Sequence, residues 1–329
     1  MTADDRPAAR GEARAEMTPR ERLLAAFHRP VLYDGSKGVY LSAALPAVGR
    51  SPSDVSEWLN LLSPPLVRRM HREYIDAGAQ IIQTNTFNGN RLRLEAYGLG
   101  DRVREVNVAA ACLAREAAGD DVCVTGVIGP SGKLLVMGEV EEPALVETFA
   151  EQAAALAEGG VDLFHVETMA DLAEARAAVE GVRCVSDRPL LLTMSFDTGK
   201  PEALRTMMGV TPAQLVRAAA EMGVFGLGAN CGRGPEGYQG VIRALVQEQP
   251  AGVLVAKFNA GIPRMEGRQV VYDGTAESMA AYALWCAENG VDIIGGCCGT
   301  TPRHIEAMAA ALLGMTGSRG PVGDGPQTT

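Results

Sequence analysis

Residues 161–196 read VDLFHVETMADLAEARAAVEGVRCVSDRPLLLTMSF. Two short apolar runs, LFHVET at 163–168 and LLLTMSF ending at Phe196, flank an amphipathic stretch over 170–182. Apolar runs of that length, bounded by turn residues, read as strands, and the Ala-rich segment between them has helical spacing. Strands that are apolar along their length and separated by a helix pair in parallel and are buried on both faces. The same grammar continues in both directions. Strand candidates are VLYDG (31–35), IIQTN (81–85), VCVTGVIG (122–129), VFGLGAN (224–230), LVAKFNA (254–260) and DIIGG (292–296), which makes eight with the two above. Helices are predicted over 53–77, 101–118, 142–158, 170–182, 211–222, 236–248, 275–289 and 302–313, with Ser53, Asp101, Thr211 and Thr301 as caps. Eight such units close into a single α/β domain, a (β/α)8 TIM barrel. A doubly wound open sheet of eight strands is the structural alternative.

The rest of the chain sets the boundaries. Of 329 residues, 47% are hydrophobic and 21% charged, a globular composition. Thirty Lys and Arg against 40 Asp and Glu leave a net charge of -10, so the basic footprint needed to bind nucleic acid is missing. No apolar run approaches the roughly 18 residues of a membrane span, and the N-terminus has no apolar export segment, so a soluble cytoplasmic protein is expected. Residues 1–20 and 315–329 read as disordered tails around a barrel over 21–314. Seven cysteines are too few for a disulfide scaffold, and in a reducing compartment they serve as packing residues, metal ligands or catalysts.

In a barrel of this kind the C-terminal ends of the strands carry the chemistry. Here they offer Asp34, Asn85, the GVIGPSGK turn, Glu167, Ser195 with Asp197, Asn230 with Cys231, Asn259, and Cys297 with Cys298. Loop polarity and helix capping account for about half of these, but not for three cysteines. Strands two places apart lie roughly 10 Å from each other at the backbone, so inward thiols after strands six and eight can meet on one ion. Three thiolates suit zinc with a fourth position left for substrate, the catalytic pattern. Consecutive cysteines in a regular strand face opposite ways, and Gly295, Gly296 and Gly299 are expected to allow the kink that aims both inward. Buried unligated thiols, a vicinal disulfide and a redox switch are the alternatives. Cys112, Cys123, Cys184 and Cys286 read as packing residues, as do Met207 and Met208.

Of two phosphate-motif look-alikes, GRGPEG satisfies G-x-G-x-x-G but sits in the wrong context for a dinucleotide site, and GVIGPSGK fails as a P-loop. GRGPEG at 232–237 follows the sixth strand and contains Pro235, and GVIGPSGK at 126–133 has Leu134 where a P-loop needs Ser or Thr. The Gly-rich loops after strands seven and eight remain a candidate site for a phosphorylated substrate. His28, His71, His165 and His304 show no ligand spacing.

DGSKGVYL (34–41), HREYIDAGAQIIQTNTFNGNRLRLEAYGL (71–99), IGPSGKLL (128–135), VDLFHVETMADLAEA (161–175), GANCG (228–232), NAGIP (259–263) and GGCCGTTP (295–302) together resemble the homocysteine S-methyltransferase family. The resemblance spans about residues 21–314, and the TNTF and GPSGK wording is closest to the homocysteine domain of cobalamin-dependent methionine synthase. It implies a zinc ion held by Cys231, Cys297 and Cys298, through which the three cysteines act in catalysis. It also implies Asp34 and Glu167 at the amino-acid end of homocysteine, with Gly35 and Asn230 beside them in the substrate site.

The implied activity is transfer of a methyl group to the homocysteine thiol, giving methionine. The sequence holds one barrel, so the donor is expected from a separate molecule: a small sulfonium, a betaine or a methylated corrinoid protein. A corrinoid-partnered subunit acting on, or presenting, a different thiol is the alternative within the family. Two positions depart from relatives, which commonly have Met in place of Lys37 and Glu in place of Gln83. Turned inward, Lys37 would receive an anionic acceptor or donor; turned outward, it meets only solvent.

Overall fold

The computed structural model describes residues 30–316 apart from 201–202, 233 and 268. Its strands are β1 (Val31–Leu32), β2 (Ile81–Gln83), β3 (Cys123–Ile128), β4 (Leu163–Met169), β5 (Leu190–Met194), β6 (Gly226–Cys231), β7 (Val253–Phe258), β8 (Arg264–Glu266), β9 (Gln269–Val271) and β10 (Ile293–Gly296). Strands β1 to β7 and β10 form one parallel sheet in which β10 lies between β7 and β1. A parallel bridge from Tyr33 to Ile81 joins β1 to β2. The sheet is therefore a ring, a (β/α)8 barrel, and the open-sheet alternative falls away.

The two-residue period of the strands sorts side chains between two layers. Leu32, Ile82, Val124, Phe164, Leu192, Leu254 and Ile294 face outward and pack with the helices. Val31, Ile81, Leu163, Leu191, Val255 and Ile293 face inward and close the barrel floor, with Tyr33 above them. Two residues further along the same inward face stand Gln83, His165, Thr193 and Lys257, all buried. Glu167 follows on β4 and Asn230 is level with Lys257 on β6. The interior thus passes from apolar to polar toward the C-terminal mouth.

The expected helix over 53–77 is three pieces: a 3-10 turn at Ser56–Trp58, a helix at Leu59–Leu62 and another at Pro64–Asp76. Pro64 has no N–H to continue the ladder and keeps Ser63 out of helical geometry, at φ -145 and ψ 57. Ser53 accordingly caps nothing and pairs with Ser51, while Asp101 lies inside a 3-10 turn. Thr211 does form a capping box, with Gln214.

The β8–β9 hairpin went unforeseen because Arg264, Met265 and Glu266 are all exposed and leave no apolar signature. Cys112 and Cys184 are exposed, so they are not packing residues, whereas Cys286 is buried. Met207 and Met208 are likewise exposed. The last helix, Pro302–Thr316, runs through two residues assigned to the C-terminal tail. The remainder of both tails, and His28, lie outside the described residues. Among the described residues no helix is long and apolar enough to cross a membrane.

Candidate metal and thiol site

Cys231 closes β6, and Cys297 and Cys298 follow β10. Their three sulfurs lie within 4.8 Å of one another, with Cys231 Sγ 2.9 Å from Cys297 Sγ and 3.9 Å from Cys298 Sγ. Thiolates on a tetrahedral zinc, at about 2.3 Å each, stand about 3.8 Å apart, so the trio fits such an ion with little movement. All three are partly buried. Hydrogen bonds from the Cys231 and Cys297 thiols bring Cys298 down to about 3, while the contacts of Cys231 with Cys297 and Cys298, ahead of burial, hold Cys231 well above the ordinary thiol range. The protons belong to the trio as a unit.

Cys297 and Cys298 escape the alternation of a strand because they occupy a turn. Thr300 N donates to Cys297 O at 3.2 Å and its hydroxyl does so at 2.6 Å. Gly299, at φ 78, supplies the left-handed residue that the turn needs. The expected roles of the other two glycines change: a Cβ on Gly296 would meet Thr300 at 2.3 Å and one on Gly295 would meet Tyr33 at 2.6 Å. They permit close approach, and Gly299 makes the bend.

The opposite side is built around Asn230. Its Oδ1 accepts from Thr168 N at 2.9 Å and from the Thr193 hydroxyl at 2.7 Å, and its Nδ2 donates to Thr168 Oγ1 at 2.6 Å. That Nδ2 also lies 3.7 Å from Cys231 Sγ and 3.8 Å from Cys297 Sγ. Asn259 holds the other flank, accepting from Cys298 N at 3.1 Å and donating to Gly232 O at 3.2 Å.

Asp34 and Glu167 share the barrel interior with the trio, and both are ion-paired. Lys37 Nζ pairs with Asp34 Oδ1, and Lys257 Nζ lies 2.8 Å from Glu167 Oε2. Lys37 therefore points inward. Burial pulls it down to about 8, against the pull of Asp34, while burial raises Asp34 against the same pair. Burial opposes the charge of Lys257 too, but Glu167, Cys297 and Asp34 together outweigh it and hold this ammonium above its usual range. His165 contacts Tyr33 OH at 3.3 Å and Thr193 Oγ1 at 2.9 Å, and burial keeps it neutral, down to about 3. Gly35 is buried beneath, where a Cβ would meet Thr300 Oγ1 at 2.7 Å.

The structure thus gathers Asp34, Gly35, Glu167, Asn230, Cys231, Asn259, Cys297 and Cys298. Asn85 instead braces a loop through Ser56 and Asn60, and Asp197 is exposed beside Thr198. Ser131 of the GPSGK turn is tied to Glu174 through its N–H and hydroxyl. In the loops after β7 and β10, the N–H groups of Ala260, Gly261, Gly274, Cys298 and Thr300 bond within the loops, and that of Cys297 bonds to Phe258 O at the end of β7. Lys257 was missed, although a lone charge in the apolar run LVAKFNA was its visible signal.

The homocysteine S-methyltransferase family model matches residues 31–312, with the three cysteines and both carboxylates inside the match. This chain belongs to that family. It has relatives among the methionine synthases of Mycobacterium tuberculosis, 32% identical over 302 residues, and Mycobacterium leprae, 31% identical over 298. Those matches cover 87% and 86% of this chain but only 25% and 24% of the relatives, about a quarter of their length. Among solved structures, the oxidized form of the Escherichia coli homocysteine methyltransferase MmuM superposes with a TM-score of 0.71 at 25% identity, covering 89% of this chain and 99% of that one. Its metallated form gives the same TM-score at 24% identity and supports the shared fold.

Proposed function

We propose that this protein is a methyltransferase that transfers a methyl group to the thiol of homocysteine, giving methionine, on a zinc ion held by Cys231, Cys297 and Cys298. The observation that carries the proposal is the convergence of three sulfurs, from the end of β6 and the turn after β10, within 4.8 Å. When bound, zinc supplies a Lewis acid that keeps the acceptor thiol deprotonated and nucleophilic at neutral pH. Asn230 orients two of the three sulfurs through its amide. Asn259 anchors the backbone of Cys298, so the trio keeps its shape as the acceptor enters. The far end of the acceptor lies over Asp34, Gly35 and Glu167, and the methyl donor approaches across the C-terminal mouth. That donor is a separate small sulfonium, a betaine or a methylated corrinoid protein.

Metal analysis and a donor screen test this reading. About one zinc per chain is expected, lost in Cys298→Ala, together with methionine formed from homocysteine and at least one of the three donor classes. A chain that takes up no zinc, or methylates no thiol with any donor, overturns it.

A further inference from the structure

A chain of buried polar side chains climbs through the barrel interior to the sulfurs. His165 on β4 pairs in register with Leu191, and Thr193 stands two residues further along β5. Thr193 pairs with Gly228, and Asn230 stands two residues further along β6. Each step therefore moves one strand over and two residues toward the mouth, following the stagger of a closed barrel. His165, Thr193 and Asn230 are all fully buried. Polar groups persist at that depth when their hydrogen bonds are filled.

Burial keeps the His165 ring neutral, so it has one N–H and one bare nitrogen, and its neighbours decide which is which. Asn230 Oδ1 lies 2.7 Å from Thr193 Oγ1 and takes the hydroxyl proton. The Thr193 oxygen is then the acceptor in its 2.9 Å contact with His165 Nε2, which places the ring proton on Nε2. Nδ1 accepts from the Tyr33 hydroxyl at 3.3 Å, while Glu167 Oε2, at 3.7 Å, is beyond hydrogen-bond reach. A ring proton on Nδ1 would draw the Thr193 hydrogen to Nε2 and leave two bare oxygens facing each other at 2.7 Å. Resting on the thiol site proposed above, we infer that His165 is a positioning residue for the sulfur trio: its Nε2–H commits the Thr193 hydroxyl to Asn230 Oδ1, which keeps the Asn230 amide N–H2 turned toward Cys231 and Cys297. That nitrogen lies 3.7 Å from Cys231 Sγ and 3.8 Å from Cys297 Sγ. Thr168 N holds the same Oδ1 at 2.9 Å, and the Thr193 hydroxyl fills its second lone pair. With the amide reversed, its oxygen would face the sulfurs and repel them once they are thiolates.

Two measurements on the full-length protein test this. The first is the nitrogen NMR spectrum of the histidine rings in the metal-free wild type, with the His165 signals identified by their loss in His165→Gln. A proton on Nε2 is expected; a proton on Nδ1 overturns the inference. The second is the zinc dissociation constant by chelator competition. His165→Leu and Thr193→Val should each weaken zinc binding about tenfold, and the double variant no further than about tenfold, because both cut the same chain. His165→Gln should stay within about threefold of the wild type, since its amide N–H2 sits as many bonds from the backbone as Nε2 does. A merely structural histidine would lower the denaturant midpoint in every variant and leave zinc affinity unchanged. That result, or additive losses in the double variant, overturns the inference while leaving the zinc site intact. Where a variant folds too poorly to load, the ring proton of the wild type decides. A wild type that takes up no zinc overturns the proposed function and this inference with it.

Discussion

Thr168 and Cys231 hold left-handed backbone, at φ 62 and 59, although neither is glycine. A β-branched residue there is a genuine outlier and persists only where its surroundings enforce it. Asn230 does so, bonding both the N–H and the hydroxyl of Thr168 while its own strand bends at Cys231 toward the other two sulfurs. Asn230→Ala should lose about 2 kcal/mol in urea unfolding and weaken zinc binding about 10- to 100-fold in a chelator competition. His71 is a different case. It is buried, both ring nitrogens lack a hydrogen-bond partner among the described residues, and burial lowers it to about 3. Its folded value lies below the unfolded one near 6.5, so the unfolded state binds the extra proton between about pH 3 and 6.5. Stability is therefore full above pH 6.5 and falls as pH drops through that window. His71→Leu should flatten the fall by about 1 kcal/mol per pH unit between pH 5.5 and 4, measured by denaturant titrations at several pH values.

At the scale of elements, the decisive piece is the four-residue turn after β10. Gly299 combines φ 78 with a Tyr272 ring only 2.3 Å from where a Cβ would sit. Gly299→Ala should cost about 2–4 kcal/mol and eject Cys298 from the trio, read as a lower denaturant midpoint together with loss of bound zinc. The presence of this turn was legible in GGCCGTTP, but the division of labour among its glycines was not: Gly296 meets Thr300 inside the motif, while Gly295 and Gly299 meet Tyr33 and Tyr272, which follow β1 and β9. The broken helix before β2 shows the opposite balance. Pro64 and Pro65 stand in plain view in the sequence, and the physics of the missing N–H is local. The expected continuous helix gave apolar periodicity too much weight over that break.

For the whole molecule, the trio joins β6 to β10 across the ring, so a bound ion fastens strands whose contact is otherwise through β7. A ligand that binds only the folded state at about 100 times its dissociation constant adds about 2.7 kcal/mol. Zinc loading should therefore raise the melting temperature by about 4 °C by calorimetry, and Cys298→Ala should abolish the rise. The eight strands, their parallel order and the three cysteines were determined by the sequence itself, because strand-length apolar runs separated by amphipathic helices have few ways to pack. The ring closure from Tyr33 to Ile81, the distances among the sulfurs and the engagement of Asp34 and Glu167 by Lys37 and Lys257 were decided only in three dimensions. The physical reason is that a charge inside a barrel takes its partner from whichever strand faces it. Lys257 meets Glu167 from 90 residues away, a separation on which no local pattern bears.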